Sequence, residues 1–161
     1  MEQGRFLLDR LDAKINLLTT LKTLLETQQV LLIENRLGDL EACSSKLLQC
    51  MEALQQWESR WQEAIATLRQ QPRLVDLSNR DLLFVVVDNA DHPRLLRTLD
   101  TLHRLGQTIV QLRENNHQLM ENSLAFVRSM VRAFQSGGQP QAVYRPHKPL
   151  AARSALVNRK L

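Results

Sequence analysis

Apolar residues recur every three or four positions along three long stretches of the chain, a spacing that places their side chains on one side of an α-helix. The first stretch spans residues 3–36. The second spans residues 39–70 and stops before Pro72, which lacks the N–H that a helix interior needs. The pattern predicts two helical arms of similar length. Their stripes are Leu11, Leu18, Leu21, Leu25 and Leu32 in the first arm, flanked by Leu17, Leu24 and Leu31, and Leu40, Ser44, Leu47, Met51, Leu54, Trp61, Ile65 and Leu68 in the second.

A tight turn is predicted between these arms at Gly38. Glycine readily takes the left-handed backbone conformation that ends a helix. Asp39 follows it directly and can cap the next helix by accepting a hydrogen bond from a free backbone N–H. The two arms should therefore form an antiparallel helical hairpin.

The stretch between Pro72 and Pro93 carries two conflicting signals. Residues 82–87 read LLFVVV, a β-branched run that locally favours a strand. A lone strand among helices would leave its backbone without hydrogen-bond partners, so we predict a short buried helix within residues 74–88. Asn89 or Asp91 can then cap a third helix over residues 93–135, with Pro93 in its first turn.

The third helix carries two apolar stripes that make its last turns apolar over a wide face. One interpretation is a helix wedged between two neighbours in a bundle. The other is a surface that binds another polypeptide, which is favoured because a helix of about 65 Å would exceed either arm, at about 50 Å, unless residues 74–88 cover it. The stripes are Leu95, Leu99, Leu102, Ile109, Leu112, Leu119, Ser123, Phe126 and Met130, and Met120, Leu124, Val127, Val131 and Phe134. The predicted partner-binding residues are Met120, Leu124, Val127, Met130, Val131 and Phe134.

Three polar or aromatic residues within the helical stretches have structural interpretations. Asn116 falls on the seam between Leu112 and Leu119, where a buried amide more often sets helix register than binds a ligand. Trp57 and Trp61 lie one turn apart, and we expect both to pack where the hairpin meets the third helix.

Charge divides the chain into two parts. Residues 1–136 contain 16 of the 21 Lys and Arg and all 17 Asp and Glu, a net charge of −1, so the remaining residues carry +5. Mixed signs on helix faces give no reason to expect a nucleic-acid stripe. Gly137 and Gly138 end the third helix, and residues 137–161 show little periodicity. We therefore predict an all-α domain over residues 1–136 and a mobile basic tail over residues 137–161.

Composition also bears on location and on chemistry. Cys43 and Cys50 are too far apart along one helix to form a disulfide, which predicts free thiols in a reducing cytoplasm. No signal peptide or membrane span is apparent, so a soluble protein without membrane insertion is expected. Di-iron bundles use a Glu-x-x-His unit twice together with two further glutamates. Here the unit occurs once, at Glu114 and His117, and an exposed polar turn is the favoured interpretation. No nucleophile elbow or phosphate loop occurs, so neither an enzyme nor a cofactor is predicted.

An ordered set of short segments resembles the FlgN family of flagellar export chaperones. The segments are residues 24–26 (LLE) and 31–32 (LL), 39–41 (DLE) and 46–48 (KLL), and 116–120 (NHQLM) with 123–126 (SLAF). The resemblance runs through most of residues 1–135. Many relatives place Asp and Gly soon after a tyrosine beyond the last helix, whereas Tyr144 here is followed by residues 145–148 (RPHK). The chain departs from the family pattern at that point.

The resemblance implies a cytoplasmic chaperone that binds the hook–filament junction proteins FlgK and FlgL and delivers them, without ATP, to the type III export gate. By the family's pattern the client binds the carboxy-terminal part, which adds Tyr144 to the candidate residues and coincides with the double stripe. The chain would then be a monomer or a weak homodimer. One alternative is a coiled-coil scaffold that self-associates through the same stripe. Nucleic-acid or membrane-surface binding through the tail ranks last, because Tyr144 is its only aromatic residue.

Overall fold

The computed structural model describes residues 2–135 and is built of helices. The helices are α1 (Glu2–Ile33), α2 (Leu37–Arg69), α3 (Asn79–Val86) and α4 (His92–Gln135), with a 3-10 turn at Asn89–Asp91 before α4. Within this described part there is no strand, and the all-α prediction is confirmed. The predicted tail, residues 137–161, lies outside the described residues.

The chain divides into two compact units, Met1–Ser123 and Leu124–Leu161, and of the second the structure describes residues 124–135. The predicted division fell after residue 136. In the first unit, α1 and α2 form the predicted antiparallel hairpin. Arg94 pairs with Asp12 and Asn116 bonds Leu25, so this part of α4 runs alongside α1 in the same direction.

Two clusters of buried residues hold the first unit together. One lies around the start of α1, the end of α2 and α3, and the other lies further along the hairpin. Because α1, α2 and α4 each contribute apolar side chains to both clusters, the three long helices pack together as a bundle. The first cluster includes Leu7, Leu8, Leu11, Trp57, Trp61, Ile65, Leu82, Leu83 and Leu95, and the second includes Leu21, Leu25, Leu31, Cys43, Leu47, Cys50 and Ile109.

The turn between α1 and α2 forms at Asn35 rather than at the predicted Gly38. Asn35 has a φ of 56° and is the only non-glycine residue with positive φ in the described part of the chain. The N–H of Arg36 donates to the carbonyl of Leu31 at 2.9 Å, and the N–H of Asn35 donates to that of Leu32 at 3.3 Å. This is the bonding of a Schellman cap, in which asparagine can replace glycine. Gly38 therefore lies inside α2.

The buried stripe of α2 includes the predicted Leu47, but it differs from the prediction by one position at Ser44 and at Met51. Cys43, Leu47 and Cys50 are buried, whereas Ser44 and Met51 are exposed. One residue is about 100° of helix rotation, so the neighbour of an apolar position can face solvent. The prediction that Met51 faces the core was wrong, and a small polarisable cysteine occupies the interior instead.

Residues 82–86 are helical, as predicted, but α3 is shorter than the predicted 74–88 segment. Ser78 caps it by accepting a hydrogen bond from the N–H of Asp81 at 3.1 Å, and its own hydroxyl donates to the Asp81 carboxylate at 2.6 Å. Leu82, Leu83 and the following Val87 are buried. The run is only partly buried, because Val85 is 62% exposed.

The start of α4 is tied to the end of α3 through His92. Its Nε2 lies 3.0 Å from the carbonyl oxygens of both Phe84 and Val87, so the Nε2–H donates to this pair. Its ring also meets the ring of Phe84 edge-on. The two predicted caps of α4, Asn89 and Asp91, lie in the 3-10 turn, and Asp91 directly precedes His92, the first residue of α4. Pro93 lies in the first turn of α4, as expected.

Candidate protein-binding site

The first apolar stripe of α4 is covered along most of the first unit. Leu95 is fully buried and Ile109 is 7% exposed. Leu99, Leu102, Leu112 and Leu119 are half-buried, and Ser123 is exposed. The first part of the stripe therefore serves the bundle interior, as the bundle interpretation of the sequence requires.

In the second unit the apolar residues of α4 are mostly exposed. Leu124 is 49%, Val127 55%, Val131 47% and Phe134 67% exposed, and Met130 is half-buried. Exposed large apolar groups that recur along one helix are typical of a surface that another protein covers. We call Leu124, Val127, Met130, Val131 and Phe134 the apolar face.

Two further predicted residues lie outside this face. Met120 belongs to the first unit and is 37% exposed. Tyr144 lies outside the described residues. The apolar face therefore contains five of the seven residues that the sequence predicts for partner binding.

The hydroxyl groups near the apolar face are satisfied within the helix. Ser123 Oγ donates to the carbonyl of Leu119 at 2.9 Å, and Ser129 Oγ donates to that of Phe126 at 2.7 Å. Neither hydroxyl needs a partner protein to complete its hydrogen bonding. A segment that covers the apolar face can therefore be apolar itself without leaving these hydroxyls unpaired.

Asn116 is the most deeply buried polar side chain of α4, with 1% of its surface exposed. Its Nδ2 donates to the carbonyl of Leu25 at 2.9 Å and to Gln28 Oε1 at 3.0 Å. Its Oδ1 has no hydrogen-bond partner. The amide therefore links α4 to one place on α1, and the geometry agrees with the predicted role in register.

Trp57 and Trp61 are core residues, as predicted, with 8% and 7% of their surfaces exposed. Their rings stack with centroids 5.3 Å apart. Trp57 Nε1 donates to the carbonyl of Arg10 at 2.9 Å, and Lys14 Nζ lies 4.3 Å from the centroid of the Trp57 ring. This pair therefore connects α2 to the first half of α1.

The two cysteines are free and buried in the hairpin. Their Sγ atoms contact the carbonyl oxygens of Leu24 and Leu17, at 3.5 and 3.6 Å. Burial raises the pKa of the Cys43 thiol and of the Cys50 thiol, because the low-dielectric interior disfavours the thiolate. Thiols in this environment react slowly, which suits structural rather than redox-active residues.

Glu114 and His117 form part of an exposed polar turn. Glu114 Oε1 accepts a hydrogen bond from Gln118 Nε2 at 3.0 Å. Among residues 2–135, no group of three or more His, Cys, Asp and Glu side chains is placed to hold a metal ion. Nor does any helix in this range have the length and apolar content needed to cross a membrane.

The sequence did not reveal a groove in the first unit whose lining includes Trp57, Arg80 and Leu96. Leu96 is 48% exposed and lies one position beyond Leu95, which is fully buried. Leu96 does not belong to the stripe of apolar residues that recurs with the helical period, so the periodic pattern did not indicate a role for it. The adjacent leucines at 95 and 96 did indicate that one of the two lies outside the buried stripe.

Comparison with known proteins identifies a family. Residues 1–151 match the family model described as FlgN protein, which is nearly the whole chain. No curated protein matches the chain. No solved structure matches it either.

Proposed function

The chain belongs to the FlgN family of flagellar export chaperones, and we propose that it binds hook–filament junction proteins of the FlgK and FlgL kind and delivers them to the export apparatus. The family is one of chaperones rather than enzymes. The observation that carries the client-binding part of the proposal is the exposed apolar face in the second unit. We further propose that the protein works in the cytoplasm, as a monomer or weak homodimer.

The proposed contact is an amphipathic client segment packed along the apolar face. We infer that a client meant to polymerise has its assembly surface covered in this way before export. A client helix with apolar residues three and four positions apart can lie against Leu124, Val127 and Val131. Met130 can adjust its unbranched side chain to different clients.

The energetics of the apolar face favour reversible binding. Burying a whole Val, Leu or Phe side chain stabilises by about 1.5–3 kcal/mol, so covering the exposed half of four such residues contributes roughly 3–6 kcal/mol. Association costs about 4–15 kcal/mol in lost translational and rotational freedom. The apolar face alone therefore supports only weak binding, and a client must add contacts elsewhere. Weak individual contacts suit a protein that has to release what it delivers.

A double substitution tests the proposed site. Val127→Asp with Val131→Asp places two charges on the apolar face, and we expect affinity for purified junction protein to fall at least tenfold, or about 1.4 kcal/mol. The matched control is Leu48→Asp with Met51→Asp, which changes two α2 residues that are 60% and 59% exposed. The control should bind as the unchanged protein does. Isothermal titration calorimetry measures both affinities.

Three results would contradict the proposal. Equal binding by both double variants would remove the apolar face from client capture. Loss of binding in the α2 control alone would move the client site to the hairpin. Sedimentation equilibrium provides the third test, because a dimer that becomes monomeric in the Val127 and Val131 variant while client binding is retained would favour the self-associating scaffold.

A further inference from the structure

A second apolar surface lies wholly in the first unit, in a groove of about 610 Å³ bordered by all four helices. We call it the tryptophan groove. Leu96, on its α4 side, is 48% exposed, whereas Leu95 beside it is fully buried. The apolar lining is Trp57 and Trp61 from α2, Leu83 from α3, and Leu96, Leu99 and Leu102 from α4.

The rim of the tryptophan groove offers positive charge. Lys14 and Arg80 line it, together with Asp100. Asp100 is already paired with Arg104, and Lys14 is 3.5 Å from Glu58. Arg80 is exposed and forms no ion pair within residues 2–135. The carboxylates near the groove are therefore engaged, while one guanidinium remains available.

The shape of the tryptophan groove fits a helix. Its lining comes from all four helices, with the largest share from α4, and a further helix can pack along such a ridge of a bundle. Along α4 the lining extends from Leu96 to His103, a rise of about 10 Å or roughly two helical turns. An occupying helix would therefore present two or three apolar side chains to the groove.

We propose that the tryptophan groove binds an acidic amphipathic helix of a partner protein, as a docking site additional to the apolar face. The apolar residues of the partner helix pack on Leu96, Leu99 and the edge of Trp57. A glutamate or aspartate on its flank pairs with Arg80, where the bidentate geometry of guanidinium and carboxylate adds orientation as well as attraction. The exposed Leu96 is then covered in the complex.

Tryptophan fluorescence reports directly on this groove, because the chain contains two tryptophans and both line it. The probe is a fluorescein-labelled peptide of about 14 residues, or about four helical turns, with leucines three and four apart and glutamates on its flanks. A twin peptide carries lysine in place of each glutamate. Neither peptide contains tryptophan, so an emission change arises from the protein.

Two variants of the full chain alter the groove, and two matched variants do not. Leu96→Asp and Arg80→Glu change its apolar and its charged component. Val110→Asp and Arg113→Glu make the same kinds of change at exposed α4 positions that do not line the tryptophan groove. Circular dichroism should show equal helix content in all four, because none of these positions is buried.

We expect the glutamate peptide to shift the tryptophan emission of the unchanged protein. Its affinity for each groove variant should be at least tenfold lower, an effect of the size seen for desolvated charge pairs at interfaces. The matched variants should stay within about twofold of the unchanged protein. Val127→Asp should leave the emission shift unchanged, which separates the groove from the apolar face. Raising salt from about 50 to 500 mM should weaken binding, since screening reduces the Arg80 contribution.

Several results would overturn the proposal. Peptide binding detected by fluorescein anisotropy without a change in tryptophan emission would place the peptide elsewhere. Equal affinity for the lysine twin, or equal weakening in the matched variants, would remove the charge complementarity. A dimer that Leu96→Asp converts to a monomer would assign the groove to a second copy of the chain instead. Each of these results leaves the client-binding test at the apolar face unaffected.

Discussion

Gly4 lies against the backbone at the end of α3, and replacing it tests how closely α1 and α3 pack. A Cβ built on Gly4 would lie 2.9 Å from the carbonyl oxygen of Val86 and 3.0 Å from the Cα of Val87. Both are backbone atoms, which cannot move aside as the end of a flexible side chain can. Gly4→Ala must therefore displace the first turn of α1 or the end of α3.

The displacement affects a buried part of the core. Leu7, Leu8 and Val87 are at most 3% exposed and belong to the first buried cluster. Overpacking of such a site costs about 1–3 kcal/mol. Alanine recovers up to about 1 kcal/mol over glycine in a helix interior, and less in a first turn. We therefore expect Gly4→Ala to lower the free energy of unfolding by about 1–2 kcal/mol.

Gly106→Ala is the matched control, because a Cβ at Gly106 would meet no atom within 4 Å beyond its chain neighbours and the backbone of its own helix. It lies inside α4, so the helix propensity of alanine should raise the free energy of unfolding by about 0.5–1 kcal/mol. The two substitutions are chemically identical and should have opposite signs. With a urea dependence of about 1–3 kcal/mol/M, their midpoints should differ by roughly 1 M.

Urea unfolding followed by far-ultraviolet circular dichroism measures both variants. The slope of the transition should stay unchanged, because neither substitution alters the area exposed on unfolding appreciably. A Gly4→Ala protein as stable as the unchanged protein would refute the close approach of α1 to α3. A destabilised Gly106→Ala protein would refute the propensity argument instead.

Three further substitutions test individual contacts. Asn116→Leu removes the unpaired buried Oδ1 and should stabilise the fold by about 1 kcal/mol in urea unfolding, and a loss of stability would show that the amide network is net favourable. Ser78→Ala removes the α3 cap and should cost about 1 kcal/mol, with Ser78→Asp restoring most of it in the same assay. Burial raises the pKa of both thiols, so the unfolded chain loses its thiol protons at a lower pH than the folded chain does. The contribution of the thiols to the free energy of unfolding should therefore be constant below the ordinary thiol pKa of about 8.5 and fall as pH rises above it. Cys43→Ala with Cys50→Ala should remove that fall, and a persisting fall would assign it to other groups.

Some features of the molecule follow from local spacing alone. The helical period of the leucines gave the three long helices, because one face of a helix must be apolar to be buried. Pro72 indicated the end of the second helix. The lack of a partner strand indicated that residues 82–86 are helical. The apolar side of the last turns of α4 was also predicted, because the spacing of its residues depends on helix geometry and not on neighbouring helices.

Other features required the tertiary structure, because they depend on which atoms meet. Cys50 and Met51 are adjacent apolar residues, and only the placement of α1 beside α2 decides that Cys50 is buried. Asn35 rather than Gly38 makes the turn, since packing of the two arms sets the length of the connection. The close approach at Gly4 and the tryptophan groove arise between elements distant in sequence. A periodic pattern specifies which side of a helix is apolar, but the rotation and contacts of that side are settled by the helices that pack against it.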